Sequence, residues 1–288
     1  MKKNNILIIK MNNKDMFFEH YDGIEKYYKY PTTNIFLRVC KKLNLPLIYF
    51  FLGDWKKNIQ KYDTVIFFDN GYSKYAFKYI KKRNKDIKIV FWYWNSLVEY
   101  KNKLIRSKYI DEIWTYNKFD AQKYNLNYCP QFYSKKISLN QEKLENDVLF
   151  LGKNKGRKEK ILEFKKMLEE QGLKCEFNII ENQKGFLKYQ EYLNKVSKSK
   201  CILDFSHSEY CGLSLRPLES LFFEKKLITN NKDIVNYDFY NSNNIFVIGI
   251  DDVDRIKEFV STPYEKVSKL IINKYDFEEW LETICNKK

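Results

Sequence analysis

Apolar and polar positions fall into short blocks along this chain, and the period within the blocks keeps switching. Residues 6–10 are a continuous apolar run, Ile6-Leu7-Ile8-Ile9, closed by Lys10, and predict a buried strand. Residues 34–43 space their apolar side chains as a helix does. Residues 47–52 read as a strand ending at Gly53-Asp54, and 63–69 as a stronger one ending at the turn signal Asn70-Gly71. A helix is predicted over 74–82. The nearly all-apolar run over 87–94 is of the kind seen in strands covered on both faces. A strand at 112–116 and a short helix at 118–124 complete the first half.

The pattern pauses over 128–146, which contains Pro130 and a polar run from Ser134, and a domain boundary is expected there. It then restarts. Strands are predicted at 147–151, 174–180, 201–205, 227–229 and 245–248. Helices are predicted at 158–171 (closed by Gly172), 186–196, 218–224 and 252–260, with two terminal pieces at 264–270 and 277–284. Repeated strand–helix alternation of this kind predicts an α/β fold of two Rossmann-like domains, each an open parallel sheet with helices on both faces. The expected division is 1–140 and 141–270, with 271–288 as a terminal helical segment. Open parallel sheets bind ligands beyond the carboxyl ends of their strands. Two such domains facing a central cleft would offer one substrate site on each side.

Composition narrows the class without naming a substrate. The chain has 288 residues, 44% hydrophobic and 31% charged, as a globular protein does. No run approaches the roughly 18 apolar residues of a membrane span, and the apolar N-terminal run is too short for a secretory leader. Six scattered cysteines form no C-x-x-C pair, and only two histidines are present. Metal ligation is therefore not expected, and reduced thiols in apolar runs point to the cytoplasm. Net charge is +15. It suits phosphorylated substrates, an anionic membrane surface or nucleic acid, although richness in Lys, Asn, Ile, Tyr and Phe also matches an AT-rich coding bias. Nucleic acid is disfavoured, because the aromatic residues lie mostly inside apolar strands rather than beside basic ones.

Three groups of residues carry candidate chemistry. Phe150-Leu151-Gly152-Lys153-Asn154-Lys155-Gly156-Arg157 runs from strand through a basic glycine loop to a helix start. Such a loop favours pyrophosphate through close backbone approach, side-chain charge and the helix dipole, although it is neither a P-loop nor G-x-G-x-x-G. Gly212-Leu213-Ser214-Leu215-Arg216-Pro217-Leu218-Glu219 offers a glycine turn, backbone N–H groups, an arginine for phosphate and a carboxylate for ribose hydroxyls. His207 and Glu209, just before it, are placed to touch the same ligand. In the first half, Asp54, Asp69, Asn70 and Asn95 follow strand ends, where a carboxylate can act as a general base. Phe91-Trp92-Tyr93-Trp94 can present one or two rings to a sugar or base. Asp251-Asp252-Val253-Asp254 contains D-x-D but stands before a helix, so capping explains it better than metal binding.

These residues resemble a GT-B glycosyltransferase of the bacterial lipopolysaccharide or capsular polysaccharide type. The resemblance rests on 150–157, on 201–219, on Lys225-Lys226-Leu227-Ile228-Thr229-Asn230, and more loosely on Trp94-Asn95 and 111–116. It implies a nucleotide-sugar donor held by the second domain, with Gly152, Lys153, Lys155, Arg157, Gly212, Ser214, Leu215 and Arg216 at the diphosphate and Glu219 at the ribose. It further implies a glycan or lipid-linked acceptor on the first domain, a terminal helix packing back on that domain, and catalysis with no bound metal or other cofactor. Asp69, Asn95 and His207 are the candidate catalytic residues. Retaining members often carry E-x7-E, but Cys211 stands where the first glutamate would be. Two other readings stay open: a nucleic-acid-binding module, and a non-catalytic scaffold of a polysaccharide assembly complex.

Overall fold

The computed structural model describes the chain apart from residues 1–4, 11–15, 19–20, 32, 44, 70–73, 99–103, 182–186, 207–211 and 287–288. It divides into two compact units, 1–130 with 281–288, and 131–280. Each is a parallel sheet flanked by helices, so both halves are Rossmann-like.

The first unit contains β1 (Ile6–Lys10), β2 (Ile24–Lys26), α1 (Ile35–Lys42), β3 (Thr64–Phe68), α2 (Lys74–Arg83), β4 (Lys88–Tyr93), β5 (Glu112–Thr115), α3 (Lys118–Tyr124) and β6 (Asn127–Tyr128). The strand order is β2-β1-β3-β4-β5-β6, and every pair is parallel. In register, Ile9 faces Phe67 and Phe67 faces Phe91. Leu7, Ile9, Val65, Phe67, Ile89 and Phe91 form one apolar face, packed with Leu37, Phe77 and Ile80 of the helices. The alternate residues Ile8, Ile66, Val90 and Trp92 are fully buried on the other face. Burial on both faces is why these strands read as unbroken apolar runs.

One sequence expectation fails here. Residues 47–52 are not a strand; Pro46–Phe51 is a 3-10 helix with Pro46 at its start. A proline has no N–H for a ladder and a φ already suited to a helical turn, and six apolar residues carry no period that separates the two structures. The edge strands β2 and β6 were invisible because two or three residues cannot show a period.

The second unit contains β7 (Asn146–Lys153), α4 (Lys158–Glu170), β8 (Cys175–Ile180), α5 (Tyr189–Ser197), β9 (Ser199–Asp204), α6 (Leu215–Phe222), β10 (Lys226–Thr229), β11 (Ile245–Val247), α7 (Ile256–Ser261) and α8 (Lys269–Asn273). Its strand order, β8-β7-β9-β10-β11, repeats the scheme of the first sheet. Val148, Phe150, Cys201, Leu203, Ile228 and Phe246 line one face with Ile161, Leu168 and Ile256. Two helix boundaries differ from expectation. Helix α6 begins at Leu215 rather than 218 and stops before Glu224, whose φ of 52° breaks it. The piece expected at 264–270 is helical only at Lys269–Asn273. The last helix, α9 (Phe277–Asn286), is separate from both sheets. Its Trp280 lies against Phe132, with ring centroids 4.3 Å apart, and Lys88 Nζ donates to the Ile284 carbonyl.

Candidate functional sites at the strand carboxyl ends

In the second sheet the chain order reverses between β7 and β9, and in open parallel sheets the ligand crevice lies beyond the carboxyl ends of the strands at such a reversal. The first residue to consider there is Gly152, near the end of β7. A Cβ on it would lie 2.8 Å from Arg216 Nη2 and 3.4 Å from Arg157 Nη2. Two guanidinium groups therefore close over this one strand position, and a Cβ there would push the Arg216 guanidinium aside.

Arg216 bridges the two strands that flank the reversal. Its Nη2 donates to the Leu151 carbonyl at 2.5 Å, and its Nη1 donates to Asp204 Oδ1 at 3.3 Å. Burial opposes its charge, but Asp204, with Tyr192 and Glu219, carries the guanidinium above its usual value. Arg157 is buried and donates to the Lys153 carbonyl at 3.2 Å. Both guanidinium carbons lie 5.6 Å from the Phe150 ring centroid. The loop between β7 and α4 turns through Lys155 (φ 48°) and Gly156 (φ 74°), both left-handed. Asn154 Oδ1 accepts from the Lys158 N–H and so holds the start of α4. Lys153 and Lys155 are exposed at this rim.

Helix α6 starts at the same crevice. Ser214 is its N-cap, yet Ser214 Oγ is buried with no hydrogen-bond partner among the described residues. An N-cap side chain ordinarily accepts from the N2 or N3 N–H; here N3 is Pro217, which has none, and the Arg216 N–H at N2 makes no such bond. A hydroxyl and the unpaired N–H groups of a first helical turn are thus gathered beside Arg216. Gly212 is described and half-buried, and Leu215 opens the helix.

Glu219 is buried one turn further along. Its Oε1 accepts from Tyr189 at 2.7 Å and its Oε2 from Tyr192 at 2.5 Å, and the Tyr189 hydroxyl also meets the Tyr133 hydroxyl at 2.6 Å. Burial lifts this carboxyl above the usual range, against the pull of the two phenols and Arg216. Both of its oxygens are engaged, an arrangement that no reading of 212–219 alone contained. The signal available was Tyr189 and Tyr192, three apart on one helix face. Asp204, at the end of β9, was likewise missed.

The first sheet reverses between β1 and β3, and one strand along, beyond the carboxyl ends of β3 and β4, Asp69 and Asn95 come together. Asn95 donates its backbone N–H to Asp69 Oδ2 at 3.0 Å and its amide to the same oxygen at 3.1 Å. Burial lifts the Asp69 carboxyl above the usual range, while the Asn95 bonds pull it down. Beside them, buried Lys10 places its Nζ 3.8 Å from the Phe18 ring centroid, 5.0 Å from that of Phe68 and 5.5 Å from that of Trp94. Lys10 was not a candidate, because a strand-terminal lysine looks like any other in a lysine-rich chain. Asp54, by contrast, is exposed and paired with Lys57.

His207 and Glu209, with Asn70 and Cys211, lie outside the described residues. In 251–254, Asp252 accepts from the Asp254 N–H as a helix cap, and Asp251 Oδ2 accepts from the Val247 N–H. Among the described residues no cluster of three or more His, Cys, Asp or Glu could hold a metal ion. The two-domain α/β architecture with two parallel sheets is compatible with a GT-B-like fold. In comparisons with known proteins, no family model matches the chain, and no curated protein is significantly similar to it.

Proposed function

We propose that this protein is a glycosyltransferase that moves a sugar from a nucleotide-activated donor to a glycan or lipid-linked acceptor, in the cytoplasm, during surface-polysaccharide synthesis. The observation that carries the reading is the convergence of Arg157 and Arg216 over Gly152 at the strand-order reversal of the second sheet. When the glycosidic bond to the nucleotide breaks, negative charge builds on the departing diphosphate. Two guanidinium groups stand over Gly152, and the Ser214 hydroxyl and the first N–H groups of α6 belong to the start of the helix that carries Arg216, so donors for that charge are held by the fold before it develops. Arg216 is held from both sides, which lowers the freedom it loses on binding. Asp204 offsets one positive charge, and Arg157, with Lys153 and Lys155 at the rim, adds positive charge to the same loop. In this reading the cations are side chains, and the diphosphate binds without an added divalent ion.

Glu219 supports α6 from behind through Tyr189 and Tyr192 and so fixes the angle at which Arg216 leaves the helix. In the first unit, Asp69 takes the proton of an acceptor hydroxyl, with Asn95 orienting it. A carboxyl raised by burial is a stronger proton acceptor than an exposed one. Trp94 and Lys10 are the neighbours an acceptor sugar would meet.

The test is thermal stabilisation by uridine, guanosine and cytidine diphosphates in chelator. At least one is expected to raise the melting temperature of the parent. Removing Arg216 alone would strand the buried Asp204 charge, so the informative variant is Asp204→Asn with Arg216→Gln, which deletes the pair together. It is expected to lose the shift. Gly152→Ala should cost about 1–3 kcal/mol at most through crowding while weakening nucleotide binding about tenfold or more by displacing a guanidinium. Parent-like binding by both variants would remove the basis of the reading.

A further inference from the structure

Helix α1 has two apolar faces, and the core uses only one. Leu37 and Cys40 are buried in the first unit. Ile35, Val39 and Leu43, four residues apart, form an exposed stripe with Phe36, and α1 packs beside the 3-10 helix Pro46–Phe51, which adds exposed Leu47 and Phe50. Phe36 and Phe50 are each about three-quarters exposed, at 74% and 73%. Isolated exposed apolar side chains are ordinary, but six on one helix and the turn beside it are not.

The charge around this patch has one sign. Arg38, Lys41 and Lys42 occupy the helix face next to the apolar stripe, all exposed. None of the three is ion-paired to a carboxylate among the described residues. From Lys26 to Gly53 the sequence contains no Asp or Glu but five Lys and Arg. A second copy of the chain would bring the same cations face to face, which opposes self-association through this surface. An anionic bilayer answers both features. Lipid phosphates meet the cations, and the phenyl and aliphatic tips enter the boundary between headgroups and acyl chains. We infer that this surface, α1 with residues 46–50, docks the protein peripherally on an anionic lipid bilayer. The inference stands on the first unit alone and does not depend on the proposed reaction.

Co-sedimentation of the full chain with two vesicle types tests it: phosphatidylcholine alone, and phosphatidylcholine mixed with phosphatidylglycerol. Binding is expected on the mixed vesicles and not on the neutral ones. Arg38→Gln with Lys41→Gln and Lys42→Gln should weaken partitioning on the order of a hundredfold. Phe36→Ser with Phe50→Ser should weaken it about tenfold or more, and both variants should melt with the parent because the altered side chains are exposed. Failure of the parent to bind, equal binding to the two vesicle types, or variants that bind as the parent does would overturn it. So would light scattering that shows a dimer dissolved by the phenylalanine changes.

Discussion

At Asp69, burial and hydrogen bonding pull in opposite directions, and burial wins. The carboxyl titrates above the ordinary aspartate value of about 4. A carboxyl raised on folding holds its proton more tightly in the folded state than in the unfolded one. Its contribution to stability is therefore full below the ordinary value and is lost as pH rises through the folded value. Asp69→Asn removes that loss. In urea melts across the mildly acidic range, the variant is expected to show a flatter stability profile than the parent and to be no less stable at neutral pH. A parent-like slope in the variant would mean that Asp69 titrates normally. Donor turnover by the same variant should fall steeply if Asp69 is the base. The candidacy of Asp69 was legible from its place after an apolar strand. Its pairing with Asn95 was not, because the two are brought together only by the parallel pairing of β3 with β4.

Among elements, the two helix starts at Asn117 and Ser214 differ in whether the cap side chain bonds its own helix. Asn117 is buried, and its side chain accepts from Phe119 N–H at 2.9 Å and Asp120 N–H at 3.2 Å. Ser214 has the residue type of a cap and makes no cap bond. Asn117→Ala should therefore cost about 1–2 kcal/mol, and Ser214→Ala should stay within about 0.5 kcal/mol of the parent while weakening diphosphate binding. Chemical denaturation of both, with and without nucleotide, makes the comparison. A cap-sized loss in ligand-free Ser214→Ala would show that the hydroxyl serves the helix. Serine before a helix was readable from sequence. Pro217 at the third helical position removes one of the two donors such a cap uses, which sequence shows only once α6 is known to start at Leu215.

Across the molecule, the same strand scheme occurs twice, and each sheet buries both faces. The described cysteines are buried or partly buried. Cys40, Cys129 and Cys201 are buried, and burial pushes the thiols of Cys175 and Cys201 up to about 12 and that of Cys285 up to about 11. The thiolate is the reactive form, so the thiols of these three residues should be almost wholly protonated near neutral pH. Alkylation followed by mass spectrometry is expected to leave Cys175, Cys201 and Cys285 unmodified in the native protein and to label them after unfolding. Prompt native labelling of Cys201 would contradict its place in the second core.

Periodicity along the chain by itself determined the class of fold and most of its strands, because a strand covered on both faces must be an apolar run, and such a run is a local property. It also determined which loops end strands and therefore which polar residues were worth considering. Local pattern could not distinguish a strand from the 3-10 turn at Pro46–Phe51. Only the tertiary structure decided which side chains share a point: Arg157 and Arg216 over Gly152, two tyrosines on Glu219, Asn95 on Asp69. The same folding left one face of α1 bare, since a helix pattern shows that apolar residues need cover but not which of them the core will reach.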